Sequence, residues 1–214
     1  MYVDIINPET PDLIEPMVRK ALSIGYYKVG VITEDVAVTQ TIGDKNIFWV
    51  YTLRLDDLTT KGRRARNKVD LIIATTKDLG ETRKATMSKL VDGVMVSYNS
   101  RRPKFDYVCA KQLKRNEGAL LIPVKRIILN MRERPQIIRN IELEVKIALR
   151  AGIYPVIASF ATSTYEIVPP RLLISFGEFF LGMTRYQAKL SLKDFPIYML
   201  SSERIARIKG VSRP

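Results

Sequence analysis

The stretch LIIATTKDLGETRKATMSKLVDGVMVSYNSRRPKFDYVCAKQLKRNEGALLIPV, Leu71 to Val124, decides the fold. Leu71–Thr75 is apolar and reads as a strand, Asp78–Leu90 as a polar helix, and Gly93–Tyr98 as a second strand. Phe105–Asn116 then reads as a helix and Ala119–Val124 as a third strand. Short apolar runs separated by helical crossovers produce parallel pairing, with helices covering the sheet.

The rhythm continues outward in both directions. Towards the N-terminus, Tyr2–Asn7 reads as a strand, Pro11–Ile24 as a helix stopped by Gly25, and Val29–Thr33 as a strand. The segment 36–55 fits either a hairpin or a loop leading into one long strand. Towards the C-terminus, Arg134–Ala151 reads as a helix with Ile138, Ile141, Val145, Ala148 and Leu149 on one face and Gly152 at its end. Ile137, Leu143 and Ile147 lie outside that stripe and suit either packing under neighbouring helices or a patch for another subunit. Tyr154–Ser159 is a strand. Leu172–Leu181 follows two prolines, is apolar nearly all round and is expected to be buried; Arg185–Leu192 is a last helix. About seven such units in 214 residues fit a closed, barrel-like sheet better than an open one, although periodicity alone does not choose. One domain over 1–200 and a basic, frayed tail over 201–214 are expected.

Composition narrows the partners. Lys and Arg number 35 against 22 Asp and Glu, a net charge of +13, which favours a polyanion, nucleic acid first. The chain has no histidine and one cysteine, Cys109, which sits among apolar neighbours and reads as a packed thiol. Without histidine there is no Ser-His-Asp triad, no Cys-His dyad and no imidazole metal site. No basic-then-apolar leader and no run of about 20 apolar residues is present, so an intracellular protein without a membrane span is expected. Neither a GxGxxG nor a GxxxxGK[ST] stretch occurs, so no nucleotide cofactor is expected.

In parallel α/β folds the strand C-termini carry function. Here they offer Asn7, Glu34, Thr75, Thr76, Asn99, Lys125, Arg126 and Ser159, mostly neutral or cationic. The densest basic run is Lys61-Gly62-Arg63-Arg64-Ala65-Arg66-Asn67-Lys68, which reads as a phosphate-facing loop or as a solvated charge run. Arg101 and Arg102 form a second loop cluster. Lys125-Arg126 end an apolar strand, where nothing structural requires two cations. Phe48, Trp49 and Tyr51 read as core before they read as a base-stacking surface.

Asn99-Ser100-Arg101-Arg102-Pro103-Lys104-Phe105-Asp106-Tyr107-Val108-Cys109-Ala110-Lys111 resembles a basic loop and aspartate-led helix of the ribonuclease P protein component 3 family. Ala119–Ile128 is similar to that family's strand ending in a basic residue, with Lys125 in the basic position. Pro170-Arg171-Leu172-Leu173-Ile174-Ser175-Phe176-Gly177, then Leu181-Gly182-Met183, Gln187-Ala188-Lys189 and Phe195-Pro196 extend the resemblance. Departures are Tyr107 in place of histidine, Leu172 in place of an acidic residue, and Phe160 within a small-residue stretch.

The resemblance implies a TIM-barrel-like α/β fold, related to metal-dependent phosphoesterases but without their metal cluster. It implies a subunit of ribonuclease P that supports the catalytic RNA in removing the 5′ leader of precursor tRNA. The implied partners are that RNA, protein component 2 and other ribonuclease P proteins, with precursor tRNA met indirectly, in the cytoplasm. No catalytic residue, metal or cofactor of its own is expected. The RNA-binding residues expected are Arg101, Arg102, Lys125, Arg126, Arg171 and Lys189, with Arg63, Arg64 and Arg66 added from the basic run. A metal-dependent phosphoesterase of a related barrel fold and a general RNA- or ribosome-binding protein remain as other readings.

Overall fold

The computed structural model describes residues 1–33, 44–98, 102–131 and 135–201. Seven strands follow one another around a parallel sheet in chain order: β1 Tyr2–Ile6, β2 Tyr26–Thr33, β3 Ile47–Arg54, β4 Leu71–Thr76, β5 Gly93–Val96, β6 Ala119–Pro123 and β7 Val156–Ala158. The helices are α1 Ile14–Ser23, α2 Arg63–Ala65, α3 Leu79–Met87, α4 Tyr107–Arg115, α5 Val124–Met131, α6 Gln136–Arg150, α7 Pro170–Phe180, α8 Arg185–Leu192 and α9 Asp194–Met199.

The strands are apolar on both faces, which explains their unbroken hydrophobic runs. Val3, Ile5, Phe48, Val50, Leu71, Ile73 and Leu121 fill the interior of the barrel. Ile6, Val29, Val31, Ile72, Ala74, Leu120 and Ile122 face outward and pack under the helices. Gly30 is required by crowding: a Cβ there would lie 2.5 Å from the Phe48 ring. Side chains stop the helices from drifting in register. Asp78 and Asp106 accept from the backbone N–H groups of Glu81 and Cys109, and Thr184 forms a capping box with Gln187.

Among the described residues no eighth strand closes the ring. The chain just beyond β7 runs beside β1, with Phe160 N donating to Ile5 O at 2.9 Å and Asn7 N to Ala161 O at 2.8 Å. Asp4 is fully buried at this seam. Its Oδ1 accepts from Ser159 N at 2.7 Å and from Ile5 N at 2.8 Å, and its Oδ2 accepts from Ser159 Oγ at 2.6 Å. Phe160 adopts φ of 53°, left-handed backbone that an aromatic residue rarely takes, and its ring is thereby held in the interior cluster. On the outside, α8 packs against both β7 and β1. α9 sends Met199 into the interior cluster, backed by Ile197 and Leu200.

Several expectations change. β6 ends at Pro123, and residues 124–131 form the helix α5 rather than a continued strand. α9 is a helix that the sequence reading did not contain. β3 is flanked by β2 and β4 in parallel, which suits the loop-then-strand alternative; residues 34–43 lie outside the described residues. α7 is not buried all round: Leu172 is 52% and Phe179 84% exposed. Ile137 is buried and Ile147 packs against the core, so of the three α6 residues outside the stripe only Leu143 stays exposed. The tail expected over 201–214 falls, apart from Ser201, outside the described residues.

A second buried carboxylate ties α6 to the chain before α4. Glu144 Oε1 accepts from Lys104 N at 2.6 Å, while Lys104 Nζ donates to Ser97 O at 2.6 Å. Burial pushes the Asp4 carboxyl up to about 6 and the Glu144 carboxyl up to about 7, despite the hydrogen bonds that oppose it. Folded-state values above the unfolded ones mean that the folded chain holds more protons in between. The stability they contribute is complete below the unfolded carboxyl range and is lost as pH rises through 6 and then 7. The melting temperature should therefore fall over this interval, with Glu144→Gln flattening its upper part and Asp4→Asn its lower part. Asp4→Ala, which leaves Ser159 unpaired, should lower the stability from urea unfolding by about 3 kcal/mol. A wild-type melting temperature that is level across the interval would contradict this assignment.

Candidate nucleic-acid interface at the barrel mouth

Strand alternation sets what the C-terminal mouth of the barrel presents. The inward row Phe48, Val50 continues in β3 to Thr52 and Arg54, and the row Leu71, Ile73 continues in β4 to Thr75. Arg54 and Thr75 are register partners. Above them opens a cavity of about 430 Å³ lined by Arg54, Asp57, Lys61, Thr75 and Arg126, among others.

Arg126, in the first turn of α5, reaches over the mouth. Its guanidinium carbon lies 5.8 Å from the centroid of the Phe160 ring, and its Nη1 is 3.9 Å from Met95 Sδ. Partial removal from water lowers its pKa, and among the described residues no carboxylate pairs with it. Lys61 Nζ is 3.2 Å from Asp57 Oδ1, and Arg54 Nη2 is 3.9 Å from Asp56 Oδ2. Both are exposed pairs, which hold a cation loosely and leave it available to an incoming anion. Among the described residues no group of three or more His, Cys, Asp or Glu is placed to hold a metal ion.

The residues expected to bind RNA separate into distinct places. Lys125 and Arg126 stand together at the mouth, but on α5 rather than at a strand end. Lys125 has a structural task after all: its Nζ donates to Glu166 Oε2 and Thr162 Oγ1, each at 2.7 Å, tying α5 to the chain that closes the barrel. Arg63 and Arg64 are exposed on α2, between β3 and β4. Arg171 in α7 and Lys189 in α8 are exposed on packed neighbouring helices after β7, which the strand order places on the far side of the ring from α2. Arg102 is exposed and borders a crevice formed with Lys104, Asn140 and Glu144. Arg101 lies outside the described residues.

Arg66 needs correction. It is 7% exposed, and its Nη1 donates to the buried Asp92 Oδ2 at 2.5 Å while Nη2 donates to Asp70 O. Asp70 and Asp92 immediately precede β4 and β5, so Arg66 anchors the opposite end of the barrel from the mouth. The basic run is helical over Leu58–Gly62 and Arg63–Ala65 and spans the height of the barrel, with Lys61 at the mouth and Arg66 locked beneath. Sequence reading missed Arg54 in the mouth, although the alternation Phe48, Val50, Thr52, Arg54 carried the signal. Phe48, Trp49, Tyr51 and Cys109 are core, and burial pushes the Cys109 thiol up to about 12.

No family model matches the chain. It is 27% identical over 146 residues to ribonuclease P protein component 3 of Methanothermobacter thermautotrophicus, which agrees with the resemblance drawn from the sequence. That match covers 67% of this chain and 59% of that protein, so it spans less than two thirds of the relative's length. Among solved structures, a chain of archaeal ribonuclease P with mature tRNA superposes with a TM-score of 0.76 at 17% identity, covering 99% of this chain and 94% of that one. A prolidase complexed with N-methylphosphonate-L-proline superposes at 0.57 and 9% identity, covering 93% and 74%. An amidohydrolase does so at 0.58 and 8%, covering 93% and 73%. At these identities the superpositions establish the barrel fold.

The division within the basic run is measurable. Arg66→Ala strands Asp92 without its buried partner and should cost about 3–5 kcal/mol in urea unfolding. Arg63→Ala and Arg64→Ala should each stay within about 0.5 kcal/mol. Equal effects at the three positions would contradict the separation.

Proposed function

We propose that this chain is a protein subunit of the ribonuclease P ribonucleoprotein, assisting the catalytic RNA in removing the 5′ leader from precursor tRNA in the cytoplasm. The observation that carries the reading is the barrel mouth, where Arg54, Lys61 and Arg126 gather, in a chain similar to ribonuclease P protein component 3. The net charge of +13 supplies the wider field. The proposed work is electrostatic: cations neutralise phosphates so that the RNA holds its active fold. Arg102, Arg126, Arg171 and Lys189 are the proposed contacts, joined by Arg63, Arg64 and the mouth residues Arg54 and Lys61. Lys125 acts through its ion pair with Glu166, positioning Arg126 beside it. Arg66 is left out because it is buried. Arg101 stays in the set on the family resemblance alone.

A protein partner, component 2 among the candidates, has support in the exposed aromatic and aliphatic residues of α7 and α8. Leu172, Phe179, Phe180 and Tyr186 are 52%, 84%, 39% and 69% exposed. A cluster of that kind on a charged chain suits another subunit. No helix among the described residues is long and apolar enough to cross a membrane.

The deciding experiment is co-purification of the tagged chain, which should recover one defined RNA and a few small proteins rather than whole ribosomes. Reconstituted with that RNA and protein component 2, the chain should raise cleavage of precursor tRNA above either protein alone; by itself it should cleave nothing. Its RNA affinity should fall steeply with salt, and Arg171→Ala should reduce the salt slope by about 1. The same variant should keep stability within about 1 kcal/mol. An affinity insensitive to salt, or recovery of ribosomes alone, would refute the reading.

A further inference from the structure

We propose that the barrel mouth is a socket for a phosphate monoester, free or at the end of an RNA strand, gripped by Arg126 and Lys61. Three features point to it. Arg126 is a cation without a carboxylate partner among the described residues, set over an aromatic ring at the rim of the barrel interior. The ring belongs to Phe160, whose left-handed backbone at φ of 53° keeps it in the interior cluster beneath that guanidinium. A cavity of about 430 Å³, in the range that holds small ligands, opens beside them.

The charge on the lining selects the ligand. Among the described lining residues Arg54, Lys61 and Arg126 outnumber the one carboxylate, Asp57, by two, and Asp56 holds Arg54 only loosely, at 3.9 Å, from outside the lining. A phosphate monoester carries about −1.5 to −2 at neutral pH, whereas a phosphodiester carries a single negative charge. Shape agrees. Below the rim, Met95 and Phe160 are 2% exposed and Ile73 is fully buried, so the floor is packed. The mouth is a socket with a floor, not a channel, and a strand enters it by its end. Arg126 supplies the planar fork suited to phosphate oxygens, and Lys61 a mobile point charge that exchanges Asp57 for the ligand.

The proposal rests on the RNA-binding reading only for the source of the phosphate. The full chain is titrated calorimetrically, at constant ionic strength, with inorganic phosphate, adenosine 5′-monophosphate and adenosine. It is then titrated with one short oligoribonucleotide bearing either a 5′-phosphate or a 5′-hydroxyl. The monophosphate should bind and adenosine should not. Arg126→Gln should weaken the monophosphate by about tenfold, as loss of a charge-assisted pair implies. Arg126→Lys should recover part of the affinity, and Lys20→Gln, exposed on α1, should leave it unchanged. Urea midpoints confirm that each variant folds. A preference for the 5′-phosphorylated strand that Arg126→Gln abolishes identifies a strand end. Equal binding of the two strands, with an Arg126-dependent monophosphate, identifies a free phosphorylated compound. Monophosphate binding that is absent, or indifferent to Arg126→Gln, overturns the socket while leaving salt-sensitive RNA binding intact. Conversely, a working socket on a chain that binds no RNA overturns the RNA reading alone.

Discussion

A sheet of seven parallel strands has two edges, and unpaired backbone groups along an edge invite aggregation. This chain removes the problem at a single seam, where Asp4 of β1 accepts both the N–H and the hydroxyl of Ser159 just after β7. The carboxylate stands in for ladder bonds that an eighth strand would have provided. Burial makes ionisation there costly and lifts the carboxyl to about 6, yet without these bonds Ser159 would be buried and unsatisfied. The seam also fixes the hydrogen bond from Phe160 N to Ile5 O, and with it the ring that floors the mouth. Closure of the fold and construction of the site are therefore one event.

The same economy governs charge. Arg66 and Arg126 are both arginines that sequence reading assigned to RNA, but their surroundings give them opposite work. Arg66 meets Asp92 in a buried pair at the end of the barrel where strands begin, and is spent on structure. Arg126 meets sulfur and an aromatic face, neither of which neutralises it. In a barrel the two ends divide stability from function, and a charge acquires its role from the end it reaches. Lys125 stands between these cases, paired with Glu166 yet adjacent to Arg126.

The family resemblance and the geometry meet at the mouth. Prolidase and amidohydrolase chains share the barrel at 9% and 8% identity, but fold alone does not carry chemistry from one protein to another. What the described residues place at the strand ends is the cations Arg54, Lys61 and Arg126, the hydroxyl of Thr75 and the carboxylate of Asp57. The apolar residues exposed on α7 and α8 lie on the flank of the barrel, on the same two helices as the exposed Arg171 and Lys189.

The sequence by itself determined the parallel α/β architecture, since strands buried on both faces must be apolar throughout and crossovers must be helical. It determined the basic character, and the absence of histidine excluded imidazole chemistry. The boundaries of α8 were legible because Thr184 and Gln187 form a local capping box. What lay outside its reach depended on contacts distant along the chain. Asp4 and Ser159 are 155 residues apart, and nothing local marks them as partners. The end of β6 at Pro123 is masked because Val124 and Ile127 are as apolar as the strand before them. Leu172 and Phe179 read as core because hydrophobicity records what a residue would bury, not whether a neighbour is there to bury it. The sorting of Arg66 from Arg126 was decided only by tertiary structure, because the energy of a charge depends on the groups that surround it in space.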